Sequence, residues 1–361
     1  MNRVYVKMFL DRNLGDDLML YLLSLYFENS ENVFYVDCPI ELEEHYNSLL
    51  SDSKCIKLIH CPLRSITNHY PRDFFKCIVQ IGGSILMGNT LKGCWYRFLN
   101  CMLFHNLNKR GIPYIIIGCN IGPFRYFLAE LFVRLEIKSA KYISTRDNAS
   151  YNYIKKYSHN SKIRRFSDLV FTIPQYISKN RLENSIGIAV YGLCNDLLLN
   201  FLSQLSLTYL NQGGKIFLFC FNAGKQNDLF VAQRIKQSVK NKSDIYIVSY
   251  DGNLPRFLNA FSLCERILAI RFHAAILAEH FKIPYISISY NNKMQNFMSD
   301  NGNIAKDIPL DNIQKTTADR VLDLLLKEPV IPHPENFLDA KCHYDFLQSV
   351  IMNEIKETHK G

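Results

Sequence analysis

Short apolar runs rich in Val, Ile, Phe and Tyr alternate with longer amphipathic stretches along nearly the whole chain. The short runs, bounded by turn-forming residues, predict strands, and the stretches with a period near 3.6 predict helices. In the first half, strands are expected at 4–9, 33–36, 56–59, 77–81, 114–118 and 142–145, with helices at 17–28, 95–109, 127–138 and 149–157. Residues 178–185 (SKNRLENS) are polar and aperiodic, which predicts an interdomain linker. The alternation then resumes, with strands at 186–191, 215–221, 245–249, 266–270 and 285–289 and helices at 196–210, 227–239, 254–263 and 273–281. Such alternation builds parallel sheets from βαβ units. The expected fold is therefore α/β, with two Rossmann-like doubly wound domains over 1–178 and 186–330 that face a cleft at the carboxyl ends of their strands. A helical stretch over 334–357 either packs back on the first domain or is solvated.

The length of 361 residues suits two domains of ~100–200 residues each. Apolar residues make up 48% and charged ones 21%, a balance that excludes a disordered chain. Near the start, Lys7, Asp11, Arg12, Asp16 and Asp17 interrupt the apolar stretches, so no signal-peptide core is expected. No uncharged apolar run approaches the ~18–20 residues that span a bilayer. The eleven cysteines lie mostly in apolar runs, as Cys220 does between Phe219 and Phe221, without paired Cys-x-x-Cys spacing or a nearby histidine pattern. That distribution predicts buried thiols in a reducing cytoplasm and no required metal or cofactor. The formal charge of +9 comes without a basic run interleaved with aromatics, so no nucleic-acid partner is expected. What it allows is at most a peripheral association with the inner face of a membrane.

Candidate chemistry gathers where predicted strands end. After the strand closing at Ile270 come Arg271 and His273, and an apolar helix opens at Ala274. Arg271 taken alone reads as a solvated turn residue. With His273, a helix N-terminus and Lys293 beyond the next strand, it reads as a carboxylate or phosphate site. Near the start, Asn13, Gly15, Asp16 and Asp17 lie between a strand and a helix; capping explains one acid there, and Asp16 is held as a site candidate. Gly82, Gly83 and Ser84 follow the strand 77–81, where consecutive glycines let backbone amides approach a ligand. Further candidates at strand ends are Asn120 within Gly118–Pro123, Arg146, Asp147 and Asp168, of which Arg146 and Asp147 read most simply as an ion pair.

Taken in series, these segments resemble the polysaccharide pyruvyltransferase family: Asn13-Leu14-Gly15-Asp16-Asp17, Gly82-Gly83-Ser84, the GCNIGP stretch from Gly118, Arg146-Asp147, Ser167-Asp168, Arg271-Phe272-His273-Ala274 and Tyr290-x-x-Lys293. The resemblance spans roughly residues 5–300. It implies the two-domain architecture of GT-B glycosyltransferases, with phosphoenolpyruvate as donor, a saccharide acceptor whose attachment to lipid is open, and a pyruvyl ketal as product. Under it, Arg271 and Lys293 would hold the donor anion, His273 would move the proton, Asp16 would orient or deprotonate a hydroxyl, and Gly82, Gly83 and Ser84 would donate hydrogen bonds to the donor. Asn13, Asn120, Arg146, Asp147, Asp168 and Tyr290 would be acceptor-side or secondary contacts. One departure stands out: members of the family often carry an arginine at the end of the second domain's first strand, where this chain reads Val190-Tyr191-Gly192. The alternatives are a GT-B glycosyltransferase using a nucleotide-sugar donor and a non-catalytic carbohydrate-binding protein of polysaccharide assembly.

Overall fold

A computed structural model describes all residues except 1, 72, 84, 85, 89, 158–161, 175–179, 240–242 and 359–361. Ser84 and the start of the expected linker, Ser178, lie outside the described residues. The chain divides into two compact units. The first comprises residues 1–10, 19–172 and 337–361, and the second 11–18 and 173–336.

The first unit is built on a seven-stranded parallel sheet in the order β3-β2-β1-β4-β6-β8-β9. Its strands are β1 (Asn2–Lys7), β2 (Asn32–Asp37), β3 (Ile56–Ile59), β4 (Cys77–Ile81), β6 (Tyr114–Cys119), β8 (Tyr142–Thr145) and β9 (Lys162–Arg165), and a small second ladder joins β5 (Leu86–Gly88) to β7 (Ile121–Phe124). The helices of this half of the chain are α1 (Leu14–Phe27), α2 (Glu43–Leu49), α3 (Ile66–His69), α4 (Leu91–Lys109), α5 (Phe127–Ser139) and α6 (Asn148–Tyr157). Every residue of β4 and β6 is buried. Helices cover both faces of such strands, which is why they read as continuous apolar runs and not as alternating ones.

The second unit repeats the plan with six parallel strands in the order β12-β11-β10-β13-β14-β15. They are β10 (Leu182–Ala189), β11 (Lys215–Cys220), β12 (Ile245–Ser249), β13 (Cys264–Ala269), β14 (Tyr285–Ser289) and β15 (Asp307–Pro309). Its helices are α7 (Asp196–Asn211), α8 (Asp228–Ser238), α9 (Leu254–Ser262), α10 (Phe272–His280), α11 (Asn292–Asp300) and α12 (Ala318–Lys327). The last helix, α13 (Cys342–Thr358), belongs to the first unit. There its His343 is fully buried, with Nδ1 2.7 Å from the Ser144 hydroxyl and Nε2 3.0 Å from the Ser167 carbonyl. A carbonyl only accepts, so Nε2 carries the hydrogen and Nδ1 accepts from Ser144.

Strand order reverses between β1 and β4 in the first unit and between β10 and β13 in the second. In doubly wound sheets ligands bind outside the carboxyl ends of the strands at this switch. Local structure departs from the sequence expectations in several places, among them the unexpected helices α2, α11 and α12 and the start of α1 at Leu14. Residues 182–185, expected in a linker, are the first residues of β10; Asn184 there has φ +54 and its N–H is held by the Glu265 carboxylate at 2.8 Å, a bulge that breaks the period of two. Helix α4 starts at Leu91, four residues ahead of the expectation, because the Thr90 hydroxyl accepts from the Gly93 N–H at 3.0 Å and offsets the glycine in its first turn. The short strands β5, β7, β9 and β15 carry too few residues to show a period. All eleven cysteines are free thiols. No helix among the described residues is long and apolar enough to cross a membrane.

Candidate functional site

At the switch point of the second unit, β13 ends at Ala269 and α10 begins at Phe272, with Arg271 as its extended N-cap residue at φ −79, ψ 134. Residues 272–279 of α10 are all buried, so the helix is pinned by apolar contact and its N-terminal end is fixed in place.

The Arg271 guanidinium is itself buried and heavily engaged. Nε donates to Asp228 Oδ2 at 3.1 Å and to the Val190 carbonyl at 3.3 Å, while the terminal nitrogens reach Asp228 Oδ1 and Gln226 Oε1. Its carbon lies 4.8 Å from the Tyr191 ring centroid, and Tyr191 stacks on Tyr290 at 3.8 Å with 12° between the planes. Burial pushes the Tyr191 phenol up to about 12 and raises that of Tyr290 as well, with Arg271 opposing both shifts. The Tyr191 ring thus forms the floor beneath Arg271. Asp228, absent from the sequence candidates, is the hub of the cluster. Its carboxylate also accepts the backbone N–H groups of Gly192 (2.7 Å), Phe221 (3.0 Å) and Asn222 (2.9 Å). Gly192 has to be glycine, since a Cβ there would lie 1.5 Å from the Gln226 carbonyl oxygen.

His273 sits two residues beyond Arg271, 8% exposed. Its imidazole lies against Gly15, where an added Cβ would fall 1.8 Å from Nδ1. Residues 11–18 are stitched to this unit by the Leu14 N–H to the Phe221 carbonyl (2.9 Å), the Ala223 N–H to the Arg12 carbonyl (3.1 Å), an antiparallel bridge between Asn13 and Asn222, and the Tyr250 hydroxyl to Asp17 Oδ2 (2.8 Å). The N-termini of α1 and α10 thus converge on the Gly15–His273 contact. Asp16 is buried beside Gly15, and its Oδ2 accepts from Asn13 Nδ2 at 2.6 Å. From α11, half-buried Lys293 places Nζ 5.5 Å from the centroid of Phe272, whose ring centroid is 5.2 Å from that of His273. One locality of the second unit therefore gathers Asn13, Asp16, Arg271, His273, Tyr290 and Lys293.

The remaining candidates lie in the first unit. Gly82 and Gly83 follow β4 with φ +64 and +67, a conformation that favours glycine, and a Cβ on Gly82 would also meet Met19 Sδ at 2.3 Å. Arg146, beyond β8, bonds Asp168 Oδ2 at 2.6 Å and Asn120 Oδ1 at 2.7 Å, all three buried. This corrects the expected Arg146–Asp147 ion pair. Asp147 instead caps α6, accepting the N–H and the hydroxyl of Ser150 at 2.7 and 2.8 Å. The Asp147 carboxylate is taken up by the first turn of α6, whereas Asp168 comes from beyond the neighbouring strand β9. Among the described residues, no group of three or more His, Cys, Asp or Glu side chains is arranged to hold a metal ion.

A family model described as polysaccharide pyruvyl transferase matches residues 13–292. No curated protein matches the sequence. Among solved structures, UDP-GlcNAc 2-epimerase from Methanocaldococcus jannaschii is 12% identical with a TM-score of 0.60, covering 96% of this chain and 99% of its own. UDP-GlcNAc 2-epimerase from Neisseria meningitidis bound to UDP-GlcNAc is 12% identical with a TM-score of 0.58, over 98% and 100%. UGT2 from Phytolacca americana, complexed with UDP-2fluoro-glucose and pterostilbene, is 10% identical with a TM-score of 0.55, over 97% and 94%. At this identity the likenesses speak for the fold alone, which is GT-B-like.

Proposed function

Because the chain belongs to the polysaccharide pyruvyl transferase family and is thereby a transferase, we propose that it moves an enolpyruvyl group from phosphoenolpyruvate to a saccharide, closing a pyruvyl ketal over two hydroxyls and releasing inorganic phosphate. The observation that carries this reading is the convergence of two helix N-termini, α1 and α10, on the contact between Gly15 and His273. Helix N-termini favour anions, and the donor brings two, a carboxylate and a phosphate.

The chemistry needs one proton added to the methylene carbon of the donor, one hydroxyl to attack the cation so formed, and a second hydroxyl to displace phosphate. The two hydroxyl protons balance the step, one ending on the new methyl group and one on phosphate. We assign proton transfer to His273, because an imidazole can both take up and give a proton near neutrality. Asp16, oriented by Asn13, takes up the hydroxyl proton. Lys293 and Arg271 balance the donor charges, Arg271 with its fork already set by Asp228.

A nucleotide-sugar donor would call for an acid on α10 to take the ribose hydroxyls. The acid available there, Glu279, is buried and already accepts the Tyr285 hydroxyl at 2.9 Å and the His333 N–H at 2.9 Å. The deciding experiment incubates the protein with phosphoenolpyruvate and a panel of saccharides and follows phosphate together with acceptor mass. Phosphate released in step with acceptor mass gain supports the reading. Release of a nucleoside diphosphate from an activated sugar, with phosphoenolpyruvate untouched, sinks it.

A further inference from the structure

The strands β5 and β7 pair in parallel with Gly88 opposite Phe124, and α4 and α5 each begin three residues later, at Leu91 and Phe127. The two helices therefore start side by side, and they stay together through the Phe98–Phe132 ring contact (5.4 Å) and the Arg97–Glu136 ion pair (3.0 Å). Each carries a second apolar stripe opposite its buried one. Leu91 is 72% exposed, Trp95 62%, Phe127 70% and Leu128 56%. Single exposed apolar residues are ordinary, but large ones clustered at the same end of two neighbouring helices mark an interaction surface.

The charges around the patch identify its occupant. Lys92 and Arg125 are exposed at the same helix starts. Helix α4 has no acidic residue, and both acids of α5 are engaged, Glu130 by Arg134 at 2.6 Å and Glu136, fully buried, by Arg97. A second copy would bring the same cations against this face, whereas an anionic lipid surface complements them. Trp, Phe and Leu flanked by Lys and Arg are also the side chains that settle at the headgroup level.

We propose that the starts of α4 and α5 form a peripheral docking surface for an anionic lipid bilayer, with Trp95, Phe127 and Leu128 entering the interface and Lys92 and Arg125 meeting lipid phosphates. The surface lies within the first unit, and its test is independent of the identity of the donor. Trp95 is the single tryptophan of the chain, so its emission reports the insertion directly. With vesicles of phosphatidylcholine mixed with phosphatidylglycerol, the full chain co-sediments and its emission shifts to the blue; with pure phosphatidylcholine it does neither. The charge variant Lys92→Glu/Arg125→Glu lowers partition by roughly several hundredfold, since each basic residue near an anionic surface is worth about fivefold and reversal counts twice. The variant Phe127→Ser/Leu128→Ser keeps the charge, retains the melting behaviour expected of exposed positions and loses at least about tenfold in partition. Unchanged Trp95 emission with mixed vesicles overturns the proposal. So does an emission already blue-shifted in vesicle-free buffer by a dimer that Phe127→Ser/Leu128→Ser converts to monomer, because the patch is then a contact between copies.

Discussion

The Asp228 carboxylate and the Arg271 guanidinium, 43 positions apart in the chain, meet as a two-point ion pair with the acid wholly shielded from solvent. Removing one partner of such a pair strands the other charge away from water. Asp228→Asn is expected to destabilise the protein by about 3–5 kcal/mol, read from denaturant unfolding, and to loosen the turns at Gly192 and Asn222 that share the carboxylate. A loss under about 1 kcal/mol would show that Arg271 is not held by this acid.

For His273→Gln, the expectation is a fall in single-turnover rate of about 10²–10⁴-fold with donor affinity little changed, since glutamine keeps the bulk and hydrogen bonding but cannot exchange a proton near neutrality. An unaltered rate with weakened phosphoenolpyruvate binding would make His273 an anion ligand and leave Asp16 as the group to test for proton transfer.

Gly15→Ala probes the same contact from the other side. Alanine at a helical position ordinarily gains about 1 kcal/mol over glycine. Here its Cβ would overlap the imidazole ring, so the variant should lose stability and turnover together. A rise in melting temperature with normal turnover would mean that the ring moves aside at no cost.

His343 sets an acid limit on the first unit. Burial depresses its pKa from 6.5 to about 4. The folded state therefore resists the proton that the unfolded chain accepts, so the contribution of this residue is whole above about pH 6.5 and is lost as pH falls from there to about 4. The loss amounts to about 3 kcal/mol. His280, also lowered to about 4 by burial, adds to the same window in the second unit. Unfolding free energies of the parent and of His343→Gln between pH 7 and 4 check this, and the variant should show the shallower pH dependence.

Much of this was legible in the chain itself. Fully buried strands such as 114–118 and 285–289 announced themselves as unbroken apolar runs, and the step from Ile270 through Arg271 to Ala274 marked a strand end and a helix start. Asp228 was not legible as a site residue, because nothing in local spacing ties it to a guanidinium on another strand end. Tyr191 drew notice only as part of a strand end that lacks an arginine, and its stacking on Tyr290 depends on β10 and β14 flanking β13. Arg146 was paired with its sequence neighbour in place of Asp168 for the same reason: proximity along the chain is a poor guide once strands set neighbours side by side.

The eight residues 11–18 have a consequence for modularity. They leave the first strand of one unit and join the other, so the polypeptide passes between the units at 10/11, 18/19, 172/173 and 336/337. Neither half is one continuous stretch of gene. A fragment spanning 173–336 would lack Gly15 and Asp16 beside His273, would leave the Phe221 carbonyl without the N–H of Leu14, and would leave the Tyr250 hydroxyl without Asp17. The half that carries His273 therefore cannot be excised or transplanted by a single cut, and any exchange of this unit with that of a relative must carry the short N-terminal segment with it.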